Sequence, residues 1–92
     1  MPKLNRTQIK TARVASPEWK LVSGPAITRT FEFKDFVAAI RFVTRVAKLA
    51  EKAWHHPDID IRWNKVTLTL ATHSEGGLTE KDFNLAKQFD RL

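Results

Sequence analysis

The chain contains no cysteine, which removes disulfides, thiolate metal sites and a cysteine nucleophile from consideration. No apolar run approaches the roughly 20 residues of a membrane span. The opening segment MPKLNRTQIK lacks the apolar stretch of a secretory signal, so a soluble, cytoplasmic protein is expected. Internal repeats, low-complexity tracts and linkers are missing too. Acidic residues are absent from the start of the chain: Lys3, Arg6, Lys10 and Arg13 all precede the first of them, Glu18. From Pro17 onward twelve basic residues face ten acidic ones, so four of the six net positive charges reside in a short N-terminal stretch. That stretch, residues 1–15, reads as a basic arm or a short helix. Clustered Lys and Arg attract phosphates, but charge confined to one short arm reads as a solvated segment, and nucleic acid is not an expected partner.

What is present suits one small domain. Ninety-two residues with 42% hydrophobic content, six Phe and three Trp supply one adequate core. Asn5 and Gln8 have the spacing of a helix cap and its reciprocal partner, opening a short helix to about Val14. WKLV (19–22) reads as a strand, SGP as a turn and AITRTFEF (26–33) as a second strand. There Ile27, Phe31 and Phe33 share one face and Thr28, Thr30 and Glu32 the other. Arg29 interrupts the apolar face and marks its edge.

The clearest element runs from Lys34 to Trp54. Phe36, Ile40, Val43, Ala47, Ala50 and Trp54 form one helical stripe, and Ala39, Phe42, Val46, Leu49 and Ala53 a neighbouring one. Together they exceed what one sheet covers, which predicts an oligomer. Asp35 suits the positive end of the helix dipole, and Pro57 is expected to end the helix. A hairpin follows. With Asn64-Lys65 as a two-residue turn, Trp63 pairs with Val66, Ile61 with Leu68 and Ile59 with Leu70, all on one face. After THSEGG, Thr79 and Asp82 resemble a capping box opening a last helix with Leu85, Ala86, Phe89 and Leu92 on its apolar side. The order (α)ββαββα predicts an α+β domain, residues 1–92, with a four-stranded antiparallel sheet and helices packed on one face.

The segment EKAWHHPDIDIRW (51–63) holds two of the three histidines side by side. His55 and His56 fall in the last turn of the long helix or just beyond it, where the dipole favours an imidazolium. Glu51, four residues before His55, is within reach to orient it. By strand parity His73 points to the Thr67 and Thr69 face, away from the core. Three readings are open: capping histidines, a metal site, or acid–base catalysis. No His-x-x-x-His pair and no cysteine supports metal.

The run Glu51-x3-His55-His56-Pro57-x5-Trp63-x9-His73-x8-Asp82 resembles the signature of the pterin-4a-carbinolamine dehydratases. The likeness extends to FEFKDF (31–36), TRVAKLAEKAWHHP (44–57), NKVTLTLATH (64–73) and GLTEKDFNLA (77–86), roughly residues 19–90. The N-terminal segment matches poorly, and Ile59 stands where some relatives carry an aromatic. The resemblance implies dehydration of a 4a-hydroxytetrahydropterin to a quinonoid dihydropterin, in the recycling of tetrahydrobiopterin for aromatic amino acid hydroxylases. It further implies His55, His56 and His73 as catalytic residues, and Glu51, Pro57, Thr72 and Asp82 as residues that bind or orient substrate. No metal or organic cofactor is implied. A homodimer built sheet edge to sheet edge, or a homotetramer through the long helices, is. The alternative within the same family is a non-catalytic module that binds or assembles other proteins, such as a dimerization cofactor of a homeodomain transcription factor.

Overall fold

The computed structural model of the protein describes residues 2–92. Helix α1 (Arg6–Val14) is followed by strands β1 (Lys20–Val22) and β2 (Ala26–Glu32), helix α2 (Phe36–Ala53), strands β3 (Asp58–Arg62) and β4 (Lys65–Leu70), a 3-10 turn (His73–Glu75) and helix α3 (Glu80–Asp90). The antiparallel sheet has the order β1-β2-β4-β3, the α+β arrangement that the patterning predicts.

Alternation divides the sheet into two faces. Ile27, Val66, Leu68 and Leu70 are buried on one, against Ala39, Phe42, Val46 and Ala50 of α2 and Phe83, Leu85, Ala86 and Phe89 of α3. The other face is polar and open. On it Thr28 pairs with Thr69 and Thr30 with Thr67, their hydroxyls 3.1 and 2.8 Å apart. Arg29 closes the edge of the core: its guanidinium lies 4.3 Å from the Phe31 ring centroid and bonds Asp90 at 2.6 Å. Asp90 also accepts the indole N–H of the buried Trp19.

The basic segment is a docked helix. Asn5 and Gln8 form a reciprocal capping box. Leu4, Ile9 and Ala12 pack against the core, and the Leu4 N–H donates to the Leu78 carbonyl at 2.8 Å.

On α2 the stripe through Ala39, Phe42 and Val46 covers the sheet, whereas Phe36 and Ile40 of the other stripe are exposed together with Val37, a surplus of apolar surface that the patterning predicts. Two local expectations are corrected. The helix ends at Ala53, four residues before Pro57, because Trp54 takes a left-handed conformation (φ 49°, ψ 47°). The Trp54 N–H then bonds the Glu51 carbonyl and the His55 N–H that of Ala50, which satisfies carbonyls left over at the helix end. The hairpin turn is Trp63-Asn64, so Ile59 pairs with Leu68 and Ile61 with Val66. This register differs from the expected one by two residues, a slip that leaves every side chain on its own face and so escapes a pattern of period two. Contacts across the sheet decide it. Asn64 accepts the Phe33 N–H with its carbonyl and donates its side-chain amide to the Phe33 carbonyl, both at 2.8 Å. Asn64 is thereby held beside Phe33, and Lys65 pairs with Glu32 and with Arg62 at once.

Candidate active site

Trp54 turns the chain out of the helical path, so His55 and His56 leave α2 in different directions. His55 turns inward. Its Nε2 lies 2.5 Å from Asp82 Oδ1, with the histidine side chain 11% and the aspartate 0% exposed. Asp82 reaches this position because it closes the capping box of α3, accepting the Thr79 N–H at 2.9 Å through Oδ2. Oδ2 also accepts the Thr72 hydroxyl at 2.8 Å, and Thr79 donates its hydroxyl to Thr72 at 2.9 Å. The carboxylate therefore accepts from Thr79, Thr72 and His55. An ionised carboxylate only accepts, so the His55 proton is held on Nε2 and Nδ1 is left as the basic nitrogen.

His56 turns outward. Its Nε2 lies 2.6 Å from Glu51 Oε1, with the two side chains 50% and 65% exposed. The Trp54 ring meets the imidazole edge-on at 5.2 Å between centroids. The expected pairing of Glu51 with His55 is thus corrected. It assumed that the helix continued through residue 55, and the left-handed Trp54 instead brings His56 back over Glu51.

His73 opens the 3-10 turn, since β4 stops at Leu70. The alternation of the strand nevertheless carries on for a few residues. Thr72 is buried on the core side with Asp82, while Ala71 and His73 border the open side. The tight connection is closed by paired hydrogen bonds between Thr72 and Gly77 and by Gly76 at φ 72°, a conformation that glycine adopts without a Cβ penalty.

A cleft of about 230 Å³ lies at this end of the polar sheet face. It is lined by His56 and Asp58 from the passage of α2 into β3, by His73, Gly76 and Gly77 from the turn after β4, by the Ser23–Pro25 turn and by Thr69. Two imidazoles, a carboxylate and the hydroxyls of Ser23 and Thr69 line a space below the size of a drug-sized pocket. His55 and Asp82 are not part of the lining. Pro57 is half-buried, and Thr72 supports Asp82. Among the described residues no group of three or more His, Cys, Asp or Glu side chains is placed to share an ion. No helix is long and apolar enough to cross a membrane.

Asp58 was not singled out from the sequence. In the expected hairpin register Asp60 would stand opposite Thr69; in the observed one Asp58 does. The Ser23–Pro25 wall gave no signal beyond that of a turn.

Comparison with known proteins follows the same lines. The family described as Pterin 4 alpha carbinolamine dehydratase matches residues 2–92, N-terminal helix included. A Chloroflexus aurantiacus protein named "Putative pterin-4-alpha-carbinolamine dehydratase" is 53% identical over 92 residues, covering 100% of this chain and 98% of its own. A Nocardia farcinica protein of the same name is 55% identical over 89 residues, covering 97% and 93%. Among solved structures, a Brucella melitensis protein described as a transcriptional coactivator/pterin dehydratase superposes with a TM-score of 0.92 at 42% identity, covering 97% of this chain and 96% of that one. A pterin dehydratase-like protein described as a RuBisCO assembly factor in the alpha-carboxysome aligns with a TM-score of 0.70 over 80% of this chain and 87% of its own. At 24% identity it shares the fold alone.

Proposed function

The chain belongs to the pterin-4a-carbinolamine dehydratase family, and on that premise we propose that it removes water from a 4a-hydroxytetrahydropterin to give a quinonoid dihydropterin. The observation that supports this reading most is the presence of both His56 and His73 in the lining of one cleft. The reaction needs two proton transfers. The C4a–O bond breaks as an acid protonates the departing hydroxyl, which leaves as water. A base takes the N5 proton, and the freed electron pair forms the C4a=N5 bond. One protonated and one neutral imidazole carry out both transfers. His56 and His73 are proposed for these roles, and either assignment of acid and base fits the cleft.

His55 completes the histidine set from behind, its ring orientation and tautomer fixed by Asp82. Glu51 positions His56 in the same manner. Thr72 acts through Asp82, and Pro57 shapes the connection from His56 into β3. Asp58 and Thr69 offer an acceptor and a hydroxyl to the polar edge of the pterin. The product is the form that a reductase returns to an aromatic amino acid hydroxylase.

The experiment is direct dehydration of a synthetic 4a-hydroxytetrahydropterin, followed by the absorbance of the quinonoid product. The expected result is a rate well above that of the spontaneous reaction and unchanged by a chelator. A rate equal to the spontaneous one defeats the enzyme reading and favours a protein-binding module on the same scaffold.

Assembly is proposed as well. β3 is an edge strand with all five residues exposed, Ile59 and Ile61 among them, and α2 exposes Phe36, Val37 and Ile40. Edge strands and apolar patches of this kind are covered in stable proteins. Light scattering at micromolar concentration is expected to show a dimer or tetramer. Ile61→Asp is expected to weaken pairing along the edge, and Ile40→Glu contacts through the helix. A monomeric wild-type chain overturns the proposal.

A further inference from the structure

A second groove, of about 500 Å³, lies between α1 and the β1–β2 turn. Lys3, Arg6, Lys10 and Arg13 line it, with Leu21 and Pro25 among its apolar residues. Arg6, Lys10 and Arg13 follow one stripe of α1, spaced four and three residues apart. Among the described residues none of the four cations forms an ion pair, although other parts of the surface pair Arg29 with Asp90 and Arg62 with Asp60. No carboxylate lines the groove. Like charges gathered without counter-charges repel one another, and an anion entering among them relieves that repulsion.

The groove adjoins the catalytic cleft. Pro25 lines both spaces. The aliphatic stem of Lys3 lies against Gly77, a cleft residue: a Cβ placed at Gly77 would fall 2.9 Å from Lys3 Cδ and 3.5 Å from Pro25 Cγ. The Lys3 stem and Pro25 thus stand where the polar cleft and the cationic groove meet. Pinned by the bond from Leu4 to Leu78, the N-terminal segment is held in this position.

We propose that the groove takes a negatively charged side chain of the pterin, a phosphate or carboxylate carried past Pro25 while the ring occupies the cleft. The inference rests on the dehydratase reading and specifies its substrate class. A group attached to the substrate suits the shared wall; a free acidic peptide would have no need of a groove joined to the cleft.

The test compares two 4a-hydroxytetrahydropterins, one with a neutral dihydroxypropyl side chain and one with a phosphomonoester at the end of the same chain. The expected kcat/KM is about tenfold higher for the phosphate, the worth of one charge-assisted hydrogen bond. The exposed double variant Arg6→Gln/Lys10→Gln is expected to bring the ratio close to one, as is high salt. Lys87→Gln, a cation removed from another helix, is expected to preserve it. Fluorescence titration with the corresponding unreactive dihydropterins should show the same preference in Kd. Equal kcat/KM and equal Kd for the two side chains, or a preference that survives in the folded double variant, overturns the inference and leaves the groove to an acidic protein segment. Turnover of neither substrate defeats the dehydratase reading instead, and the Kd comparison then decides the groove by itself.

Discussion

Replacing His73 with alanine is expected to lower kcat by about 10²–10⁴-fold, the usual worth of a positioned proton-transfer group, while the melting temperature moves by no more than a few degrees. The two effects separate because of where His73 stands. Its side chain is exposed, lines the cleft and makes no hydrogen bond among the described residues, so the fold loses little with it. His56→Ala is expected to behave alike, since its pair with Glu51 is half exposed and exposed pairs contribute at most about 1 kcal/mol. If the two imidazoles share one step, the double variant loses less than the product of the single losses. The measurement is steady-state turnover beside thermal unfolding for all three variants. Full turnover in folded His56→Ala and His73→Ala removes acid–base chemistry from this cleft. A large loss of stability with unchanged turnover would identify them as structural groups.

Asp82→Ala is expected to be costly in the other way. The side chain is fully buried, and its removal leaves the Thr79 N–H, the Thr72 hydroxyl and the His55 ring without their acceptor. Stranded buried polar groups cost about 1–3 kcal/mol each before relaxation. A total near 3 kcal/mol lowers the melting temperature of so small a domain by roughly 12–24 °C. Asp82→Asn divides the two duties of this residue. The amide oxygen can still accept from Thr79 and Thr72, so most of the stability is expected to survive. The amide nitrogen then faces His55 Nε2 as a donor and drives the imidazole proton to Nδ1. Turnover is expected to fall by about tenfold or more, the usual consequence of removing an outer-shell partner, in a protein that melts within a few degrees of wild type. Nitrogen shifts of the His55 ring report the tautomer directly. An unchanged tautomer with unchanged turnover removes Asp82 from the mechanism and leaves it a helix cap.

The patterning of Ile27, Val66, Leu68 and Leu70 against a long amphipathic helix made the sheet and its covered face legible in the sequence. The caps at Asn5 and Thr79 were equally plain, because their chemistry is local. What escaped was set by contacts distant in sequence. The turn at Trp63-Asn64 depends on Phe33, and with it went the place of Asp58 beside Thr69. The left-handed Trp54 has no signal of its own, since glycine is the residue expected there. Without it the partners of His55 and His56 cannot be told apart. His73 was placed on the open side by parity even though its strand ends early, because alternation outlasts the ladder. The basic segment showed its charge in the sequence, but not its packing beside the cleft.

One carboxylate serves the fold with one oxygen and His55 with the other, and this changes what descent can reveal. A descendant that abandoned the chemistry would still need an acceptor, aspartate or asparagine, at position 82 to start its third helix. An acceptor kept at that position among diverged copies therefore carries no record of activity. His56 and His73, which the scaffold does not require, are free to drift once turnover is no longer selected. If they carry the proposed proton transfers, their loss dates the end of catalysis, and an intact pair beside a retained aspartate marks a lineage still under selection for it.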